Sequence, residues 1–360
     1  MKGVAARILL VAGSTIFAIC LLEVGLRFLG PPPASEPLIP DPVLDHVKLR
    51  DFAFKSYSPD NEFAPFVVYW DPEGRVADPE KKIAWNPARH TRNVALVGDS
   101  FVEASQVPYS KSFAGMLNRA AAPDVFFSNW GVSSYSPMVY VPLWRNRILG
   151  TRPTHVFLLL YENDVNDDSV YSTKAKFGAD GLPLCVVGKP EPPVLAWIRR
   201  SSLFRALRFA TVKIRAGFAA KNNPRVADAG QYQEVSPDIS PLTARMILGL
   251  KKEVEDNGSQ LTLLAVPSRR ADILGDPPDG PVPFASRAGA WCRENHVDYI
   301  DLEGPFLASR KAHGNSTLFF KKDIHFTAAA HRVVAGAIMG RYPEYFVGPL
   351  PEDSAAPVGR

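Results

Sequence analysis

Residues 93–105 read NVALVGDSFVEAS, and this stretch decides the fold. Its four apolar residues, Val94–Val97, run directly into Gly98, Asp99 and Ser100. A short, continuous apolar run of this kind predicts a buried strand of a parallel sheet. Ser100 then follows the end of the strand, where a serine serves either as a helix cap or as a nucleophile activated by a base from elsewhere in the chain.

Short apolar runs alternate with amphipathic stretches in the rest of the chain. The candidate strands are Val94–Val97, Val125–Asn129, Val156–Tyr161, Leu261–Val266 and Tyr299–Asp301. The candidate helices are Ser112–Ala121, Pro137–Leu149, Pro241–Asp256, Phe284–Asn295 and Thr327–Tyr342. Such alternation is typical of a parallel sheet with helices on both faces. Right-handed crossovers then bring the carboxyl ends of all the strands to one edge.

Four polar motifs fall at that predicted edge. Ser100 lies in GDSF, Gly131 in SNWGVSSYS, Asn163 in LLLYENDVND, and Asp323 and His325 in KKDIHFTAAAH. A serine hydroxyl needs a base, which His325 could supply, and Asp323 could orient its imidazole. The backbone N–H groups of Ser100 and Gly131 and the Asn163 amide are candidate donors to an oxyanion. Each residue alone also fits an ordinary cap, turn or surface position, so their shared placement carries the prediction.

The order Ser100, Gly131, Asn163 and His325 resembles the SGNH hydrolase superfamily, also called GDSL-like esterases. The blocks GDSF, NWG, ENDVND and DIHFTAAAHRVVA are similar to its four motifs, over about residues 93–342. The resemblance implies a flavodoxin-like three-layer α/β/α fold, which we expect to hold a mostly parallel five-stranded sheet. It also implies a Ser100–His325–Asp323 triad and oxyanion donors from Ser100, Gly131 and Asn163. We expect no cofactor and no metal.

Two positions depart from the pattern of many members of this superfamily. Only Ile324 separates Asp323 from His325, where two residues are common. The shorter spacing is similar to that of members that modify bacterial exopolysaccharides, including alginate-type O-acetyltransferases. Tyr161 stands where a glycine is common, and we expect it to narrow the cleft. Neither departure removes a catalytic group.

The N-terminus carries Lys2 and Arg7 before an uncharged run from Ile8 to Leu22. We interpret residues 1–30 as an uncleaved signal anchor, with a cleaved signal peptide as the alternative. The basic residues before the run predict a cytoplasmic N-terminus and a body outside the cytoplasm. An anchor before such a domain also resembles bacterial envelope proteins that act on surface polysaccharide. We therefore expect a single-pass protein of the bacterial inner membrane, with a periplasmic catalytic domain.

The remaining organisation follows from composition. Residues 31–92 are expected to form a lead-in region that begins with a stiff proline-rich linker, residues 30–42. Residues 93–345 form the hydrolase-like domain, with an insertion at 164–240, and residues 346–360 form a tail. Within the insertion, residues 195–223 carry seven Lys or Arg and no acid. This stretch predicts either a basic amphipathic helix pair against anionic lipid or polysaccharide, or a lid with a solvated basic face.

Bulk properties limit the function classes. A net charge of +4 on 360 residues does not favour nucleic acid as a partner. Three cysteines are too few for a disulfide scaffold. The leading hypothesis is a serine esterase that hydrolyses an acyl ester, with acetyl favoured, on a cell-envelope or carbohydrate substrate. The alternatives are an exopolysaccharide O-acetyltransferase working with polysaccharide biosynthesis partners, and a non-catalytic glycan-binding module.

Overall fold

The computed structural model describes residues 2–30, 37–222, 238–274, 282–314 and 317–350. Twelve strands lie in these ranges: β1 (Leu38–Asp41), β2 (Asp45–Lys48), β3 (Phe52–Ser56), β4 (Phe66–Trp70), β5 (Val76–Ala77), β6 (Arg92–Gly98), β7 (Val125–Asn129), β8 (His155–Leu160), β9 (Ala175–Phe177), β10 (Pro183–Val186), β11 (Gln260–Ala265) and β12 (Asp298–Ile300). The five predicted strands are β6, β7, β8, β11 and β12, and each prediction is confirmed to within two residues at either end.

The described α-helices are α1 (Lys2–Phe28), α2 (Ser100–Glu103), α3 (Phe113–Ala120), α4 (Pro137–Leu143), α5 (Asp164–Ser172), α6 (Pro193–Arg199), α7 (Ser202–Asn222), α8 (Pro241–Asp256), α9 (Arg269–Leu274), α10 (Phe284–Glu294), α11 (Glu303–His313) and α12 (Ala328–Arg341). The predicted helix Pro137–Leu149 ends earlier as an α-helix, at Leu143. It continues as a π-helical segment, Trp144–Ile148. Pro142 lies inside α4 and has no backbone N–H to donate to the preceding turn.

The main sheet has eight strands in the order β12-β11-β8-β6-β7-β5-β4-β3. The pairs from β12 to β7 are parallel. The pairs from β7 to β3 are antiparallel. The prediction of a central, helix-covered α/β sheet is confirmed, but the prediction of five strands is wrong. The lead-in region supplies the three further strands, so the sheet is mixed.

The position of β6 decides where a site can form. β6 lies between β7 and β8, and the chain passes from β6 to β7 on one side and then returns to β8 on the other. Such a switch of direction leaves a crevice at the carboxyl ends of the strands. Ser100 is the first residue of α2, immediately beyond β6, and therefore lies at this crevice.

Two apolar cores cover the two faces of the sheet. One core joins the sheet to α4, α8 and α10 through side chains such as Tyr140, Ile247 and Ala288. The other joins it to α2, α3, α11 and α12 through side chains such as Phe101, Phe113 and Phe306. The three-layer arrangement follows from these two cores, because each helix buries one apolar stripe against the sheet.

The lead-in region is more regular than the sequence predicts. Residues 38–41, expected to lie in a stiff linker, form β1 and pair with β2. A third apolar cluster, centred on the fully buried Trp70, packs β3 and β4 together. The expected linker residues 31–36 lie outside the described part of the chain. The lead-in region is therefore continuous with the main sheet through β5 and β7.

The N-terminal helix α1 is long and apolar enough to cross a membrane, and a signal sequence passes the same test. Its membrane-length window is not buried against the rest of the chain. The insertion after β8 contains α5, the β9–β10 hairpin, α6 and α7. Cys20, Cys185 and Cys292 are free thiols.

Candidate active site

The turn after β6 presents Ser100. The carboxylate of Asp99 accepts a hydrogen bond from the Phe101 backbone N–H (2.9 Å) and so caps α2. A Cβ on Gly98 would lie 2.4 Å from a methyl group of Val102 and 2.9 Å from the Leu159 carbonyl oxygen, so this position needs glycine. Ser100 is thus the first residue of the helix, and Asp99 makes the cap that the sequence also allowed for Ser100.

His325 lies between Ser100 and Asp323. Its Nε2 is 2.7 Å from Ser100 Oγ, although the two residues are 225 positions apart. Its Nδ1 contacts the Asp323 carboxylate, which also accepts the His325 backbone N–H at 2.9 Å. A carboxylate only accepts hydrogen bonds, so Nδ1 carries the ring proton and Nε2 accepts from the Ser100 hydroxyl. The structure therefore brings together the three residues of the predicted triad.

The spacing of Asp323 and His325 accounts for this geometry. With Ile324 alone between them, Asp323 reaches both the backbone N–H and the ring N–H of His325. Burial alone would raise the pKa of Asp323, but the hydrogen bonds and charge of His325 outweigh it and hold that pKa below the usual value. Asp323 therefore stays ionised beside the imidazole at neutral pH.

The lead-in region holds the segment that carries Asp323. The Glu62 carboxylate accepts hydrogen bonds from the backbone N–H groups of Asp323 (2.8 Å) and Lys322 (3.1 Å). Phe63 packs on Phe320, with ring centroids 5.4 Å apart. The sequence analysis missed Glu62, because a carboxylate in an irregular region gives no local sign of a partner 261 positions away.

Gly131 does not take the predicted position. It is buried behind α2, where a Cβ would lie 2.3 Å from the Glu103 backbone nitrogen. Its backbone N–H, the expected oxyanion donor, instead donates a hydrogen bond to the Asn129 side-chain oxygen (3.0 Å). The absence of a side chain at Gly131 therefore lets the backbone of α2 pack closely against it, rather than a substrate.

Ser134 offers a donor in the same loop. It is exposed, and its φ of +65° lies in the left-handed region that few non-glycine residues adopt. Within the described ranges its backbone N–H donates to no protein group, as also holds for the N–H of Ser100. The neighbouring Ser133 differs, because its N–H donates to Glu103 Oε2 at 2.7 Å. The positive φ could not be read from the sequence.

Asn163 lies at the start of α5. Its side-chain Nδ2 donates to Asp167 (2.9 Å), which leaves the second N–H of that amide for another acceptor. Its Oδ1 is buried and has no partner among the residues that the structure describes. Tyr161, two residues earlier, packs against Phe101 with ring centroids 4.6 Å apart. This contact holds the Tyr161 ring against the nucleophile helix α2.

A buried pair joins the lead-in region to the nucleophile helix. Glu103, in α2, is fully buried, and its carboxylate accepts hydrogen bonds from the backbone N–H (2.7 Å) and hydroxyl (3.0 Å) of Ser133. Lys48 lies 3.9 Å from the same carboxylate and donates to the Gly131 carbonyl oxygen. Glu103 thus ties the loop after β7 to the helix that begins with Ser100. The position of this carboxylate within the apolar stretch FVEAS was the only sign in the sequence that Glu103 is buried and paired.

Buried acids lie behind the nucleophile. Asp99, Asp164 and Asp168 are each 1% exposed or less. Burial raises the pKa of all three, and mutual repulsion raises that of Asp164 further. Asp168 accepts hydrogen bonds from the Ser136 hydroxyl (2.6 Å) and the Met138 N–H (2.7 Å), which fixes the start of α4. We find no set of three metal-ligating side chains within the described ranges.

A second histidine near the site, His331, lies in the core. It is 1% exposed and packs between Phe113 and Phe326. Burial lowers the pKa of His331 to about 3, so the ring is neutral at physiological pH. It is a core residue of α12.

Comparison with known structures gives similar folds at low identity. A catalytic mutant of an acetylxylan esterase from Geobacillus stearothermophilus is 12% identical over 72% of this chain and 98% of that chain, with a TM-score of 0.41. A protein described as a GDSL-like lipase from Parabacteroides merdae is 12% identical over 70% of this chain and 95% of that chain (TM-score 0.41). One described as an acylhydrolase from Bacteroides fragilis is 12% identical over 70% and 87% (TM-score 0.37).

No family model and no curated protein sequence matches this chain. At these identities and TM-scores, the assignment of a function depends on the geometry around Ser100.

Proposed function

We propose that this protein is a serine esterase of the SGNH type that hydrolyses an acyl ester, with acetyl favoured, on a carbohydrate of the cell envelope. The observation that carries the proposal is the 2.7 Å contact between Ser100 Oγ and His325 Nε2, with Asp323 on the opposite ring nitrogen. This is the arrangement that activates a hydroxyl nucleophile.

The proposed reaction has two steps, acylation of Ser100 and hydrolysis of the acyl-enzyme. Ser100 Oγ attacks the acyl carbon while His325 Nε2 takes its proton, and Asp323 stabilises the resulting imidazolium. When the tetrahedral intermediate collapses, His325 returns the proton to the departing sugar oxygen and leaves an acyl-Ser100 ester. Water then attacks this ester, with His325 first as base and then as acid, and the carboxylic acid is released.

The oxyanion of each intermediate needs fixed donors. We propose the backbone N–H groups of Ser100 and Ser134 and the second side-chain N–H of Asn163. Ser134 takes the part that the sequence assigned to Gly131, because the Gly131 N–H is engaged by Asn129. Backbone donors that are fixed before the reaction stabilise developing charge without reorganisation.

Covalent labelling tests the nucleophile. A fluorophosphonate should modify Ser100 in the full-length protein, and peptide mass spectrometry should locate the label. Ser100→Ala should remove both the label and hydrolysis of para-nitrophenyl acetate, while Ser110→Ala, which changes an exposed serine, should retain both. A label on another residue, or undiminished activity in Ser100→Ala, would contradict the assignment.

The second candidate function is O-acetyl transfer to an exopolysaccharide. The Asp323-Ile324-His325 spacing favours it, because that spacing is similar to the spacing in alginate-type O-acetyltransferases. Transfer uses the same acyl-Ser100 ester, with a sugar hydroxyl in place of water. Incubating the isotopically labelled acyl-enzyme with water alone, and then with candidate oligosaccharides, separates the two reactions. Free acid in both arms indicates an esterase, and an acylated oligosaccharide indicates a transferase.

We further propose that α1 anchors the chain in the inner membrane with the catalytic domain in the periplasm. The basic residues before the apolar run and the length of α1 support this topology. A fusion of alkaline phosphatase after Pro42 should be active. An inactive fusion that is stably expressed would point to a cytoplasmic body.

A further inference from the structure

The helix pair α6–α7 is attached to the end of α1. The Glu23 carboxylate, near the C-terminal end of α1, accepts hydrogen bonds from the backbone N–H groups of Ser202 (3.0 Å) and Leu203 (2.9 Å) and from the Ser201 hydroxyl (2.9 Å). N–H groups in the first turn of a helix have no partner within that helix. Glu23 therefore caps α7 from a distant part of the chain and holds the start of α7 at the end of α1.

Arginines attach the same helix pair to the lead-in region. Arg205 is 8% exposed, donates to the Ala53 carbonyl oxygen (3.1 Å) and lies over the Phe52 ring, 4.6 Å from its centroid. Two more bonds of this kind are Arg199 to the Leu38 carbonyl oxygen and Arg200 to the Arg50 carbonyl oxygen, both 3.0 Å. These three arginines thus attach α6–α7 to the lead-in region.

The opposite side of the pair, which we call its outer face, exposes large apolar side chains. Trp197 is 72% exposed, and Leu207 and Ile214 are each 59% exposed. Phe204, Leu207 and Ile214 recur at helical spacing on α7, so they form one stripe. The outer face comprises Val194, Leu195, Trp197, Phe204, Leu207 and Ile214. A cluster of large exposed apolar side chains on one helix pair indicates an interaction surface.

The charge of α7 identifies the partner. Its sequence contains five Lys or Arg and no acid, and the Arg208 side chain is exposed near Leu207 in the sequence. A helix with a basic side and an apolar stripe binds in the interface of a membrane that contains anionic lipid. An anionic polysaccharide would match the charge, but it would not cover the apolar stripe.

We propose that the outer face of α6–α7 lies in the interface of the bilayer that α1 enters, with anionic phospholipid as its partner. The inference rests on the proposed membrane anchor and adds a second attachment to it. Trp197 lies at the level of the headgroups, where tryptophan is enriched. Leu207 and Ile214 enter the acyl boundary, and Arg208 meets the phosphates.

Depth-dependent quenching tests the proposal on the full-length protein in nanodiscs of phosphatidylcholine and phosphatidylglycerol. Brominated acyl chains should quench wild-type fluorescence more than that of Trp197→Phe. The difference is only part of the total emission, because the chain has six tryptophans. Trp291→Phe, in α10, should retain the wild-type loss. Equal quenching in wild type and Trp197→Phe would overturn the proposal.

A matched pair of variants tests the stripe itself. Leu207→Glu should weaken the quenching of Trp197, whereas Leu184→Glu, at a similarly exposed leucine (53%) in β10, should not. Equal effects in both variants would refute the stripe. A Trp197 signal that responds to an anionic oligosaccharide and not to brominated lipid would also overturn the proposal.

Alkaline carbonate extraction keeps this inference separate from the anchor. A chain that stays in the membrane while Trp197 is not quenched contradicts the inference alone. A chain that carbonate releases contradicts the anchor, and with it the inference.

Discussion

Lys48 Nζ lies 3.9 Å from Glu103 Oε1, and both side chains are buried. The contact crosses from the lead-in region to the nucleophile helix, and Glu103 also holds Ser133. We predict that Lys48→Met lowers the free energy of unfolding by about 3–5 kcal/mol, because it leaves the Glu103 charge buried without its cation. Urea denaturation measures the change.

The double variant Lys48→Met/Glu103→Leu separates stability from positioning. It removes both charges, so part of the lost stability should return. Its kcat should nevertheless be low, because Glu103→Leu removes the acceptor of the Ser133 N–H. The Lys48–Glu103 pair does not hold the loop after β7 if the two substitutions have additive effects on the free energy of unfolding. The same conclusion follows if kcat recovers together with stability.

Removing the charge of Asp323 tests the orientation of His325. The side-chain amide that Asp323→Asn introduces can donate to His325 Nδ1 and favour the tautomer that cannot accept from Ser100. This variant should therefore lower kcat by about 10²–10⁴-fold at neutral pH. Asp60→Asn is the matched control, because Asp60 pairs with Lys322 in the same segment but touches neither His325 nor Ser100 in the described contacts. Similar losses in both variants would indicate a role in loop stability only.

Replacing single backbone amides by esters tests the oxyanion donors. An α-hydroxy analogue of serine at position 134 removes one N–H and leaves the chain otherwise intact. We expect kcat to fall by about 10²-fold or more, as for the loss of one oxyanion donor. The same replacement at Gly131 breaks only the bond to Asn129 and should affect kcat less. The reverse ranking would restore Gly131 as the donor.

The buried Asp99 gives a pH dependence of stability. Burial raises the pKa of Asp99, so the folded state retains a proton that the unfolded chain releases near pH 4. The contribution of protonated Asp99 to the free energy of unfolding is therefore lost as the pH rises above about 4. Asp99→Asn keeps the acceptor for Phe101 and should flatten this decline, whereas Asp301→Asn, at an exposed aspartate, should not. Thermal unfolding from pH 4 to pH 8 measures the difference.

The buried His155 has the opposite effect. Burial lowers the pKa of His155 from 6.5 to about 4. Between these two pH values the unfolded chain binds a proton at His155 that the folded chain does not bind. The free energy of unfolding therefore falls by about 3 kcal/mol as the pH drops from about 6.5 to about 4. His155→Gln retains partners for Tyr345 and Thr262 and should lose less stability over this range. The exposed His313→Gln should behave as wild type, and an equal loss in His155→Gln would contradict the prediction.

The parallel part of the sheet was predictable because apolar runs such as Val94–Val97 alternate with amphipathic stretches. The place of β3–β5 in the main sheet was not, since they join it through a short contact, Val76 opposite Asn129. Such long-range pairing depends on tertiary packing, which the sequence of a single short strand does not show.

The site divides in the same way. Ser100 could be placed because it follows β6, whereas Asp323 and His325 lie in the loop between α11 and α12 and were placed by their motif. Lys48 and Glu62 could not, because they lie in the lead-in region, which carries no motif, and their partners are distant in the sequence. Gly131 was assigned the wrong neighbour: a glycine shows that something approaches closely, but the sequence does not show whether that is a substrate or, as here, a helix.

The bond between Glu62 and the backbone of Asp323 has a consequence for biosynthesis. A ribosome releases Ser100 225 residues before His325. Until His325 emerges, the hydroxyl has no base, and the lead-in region has no segment to hold. The nascent protein therefore carries an inert serine until then, and its reactivity begins only when these distant segments have met.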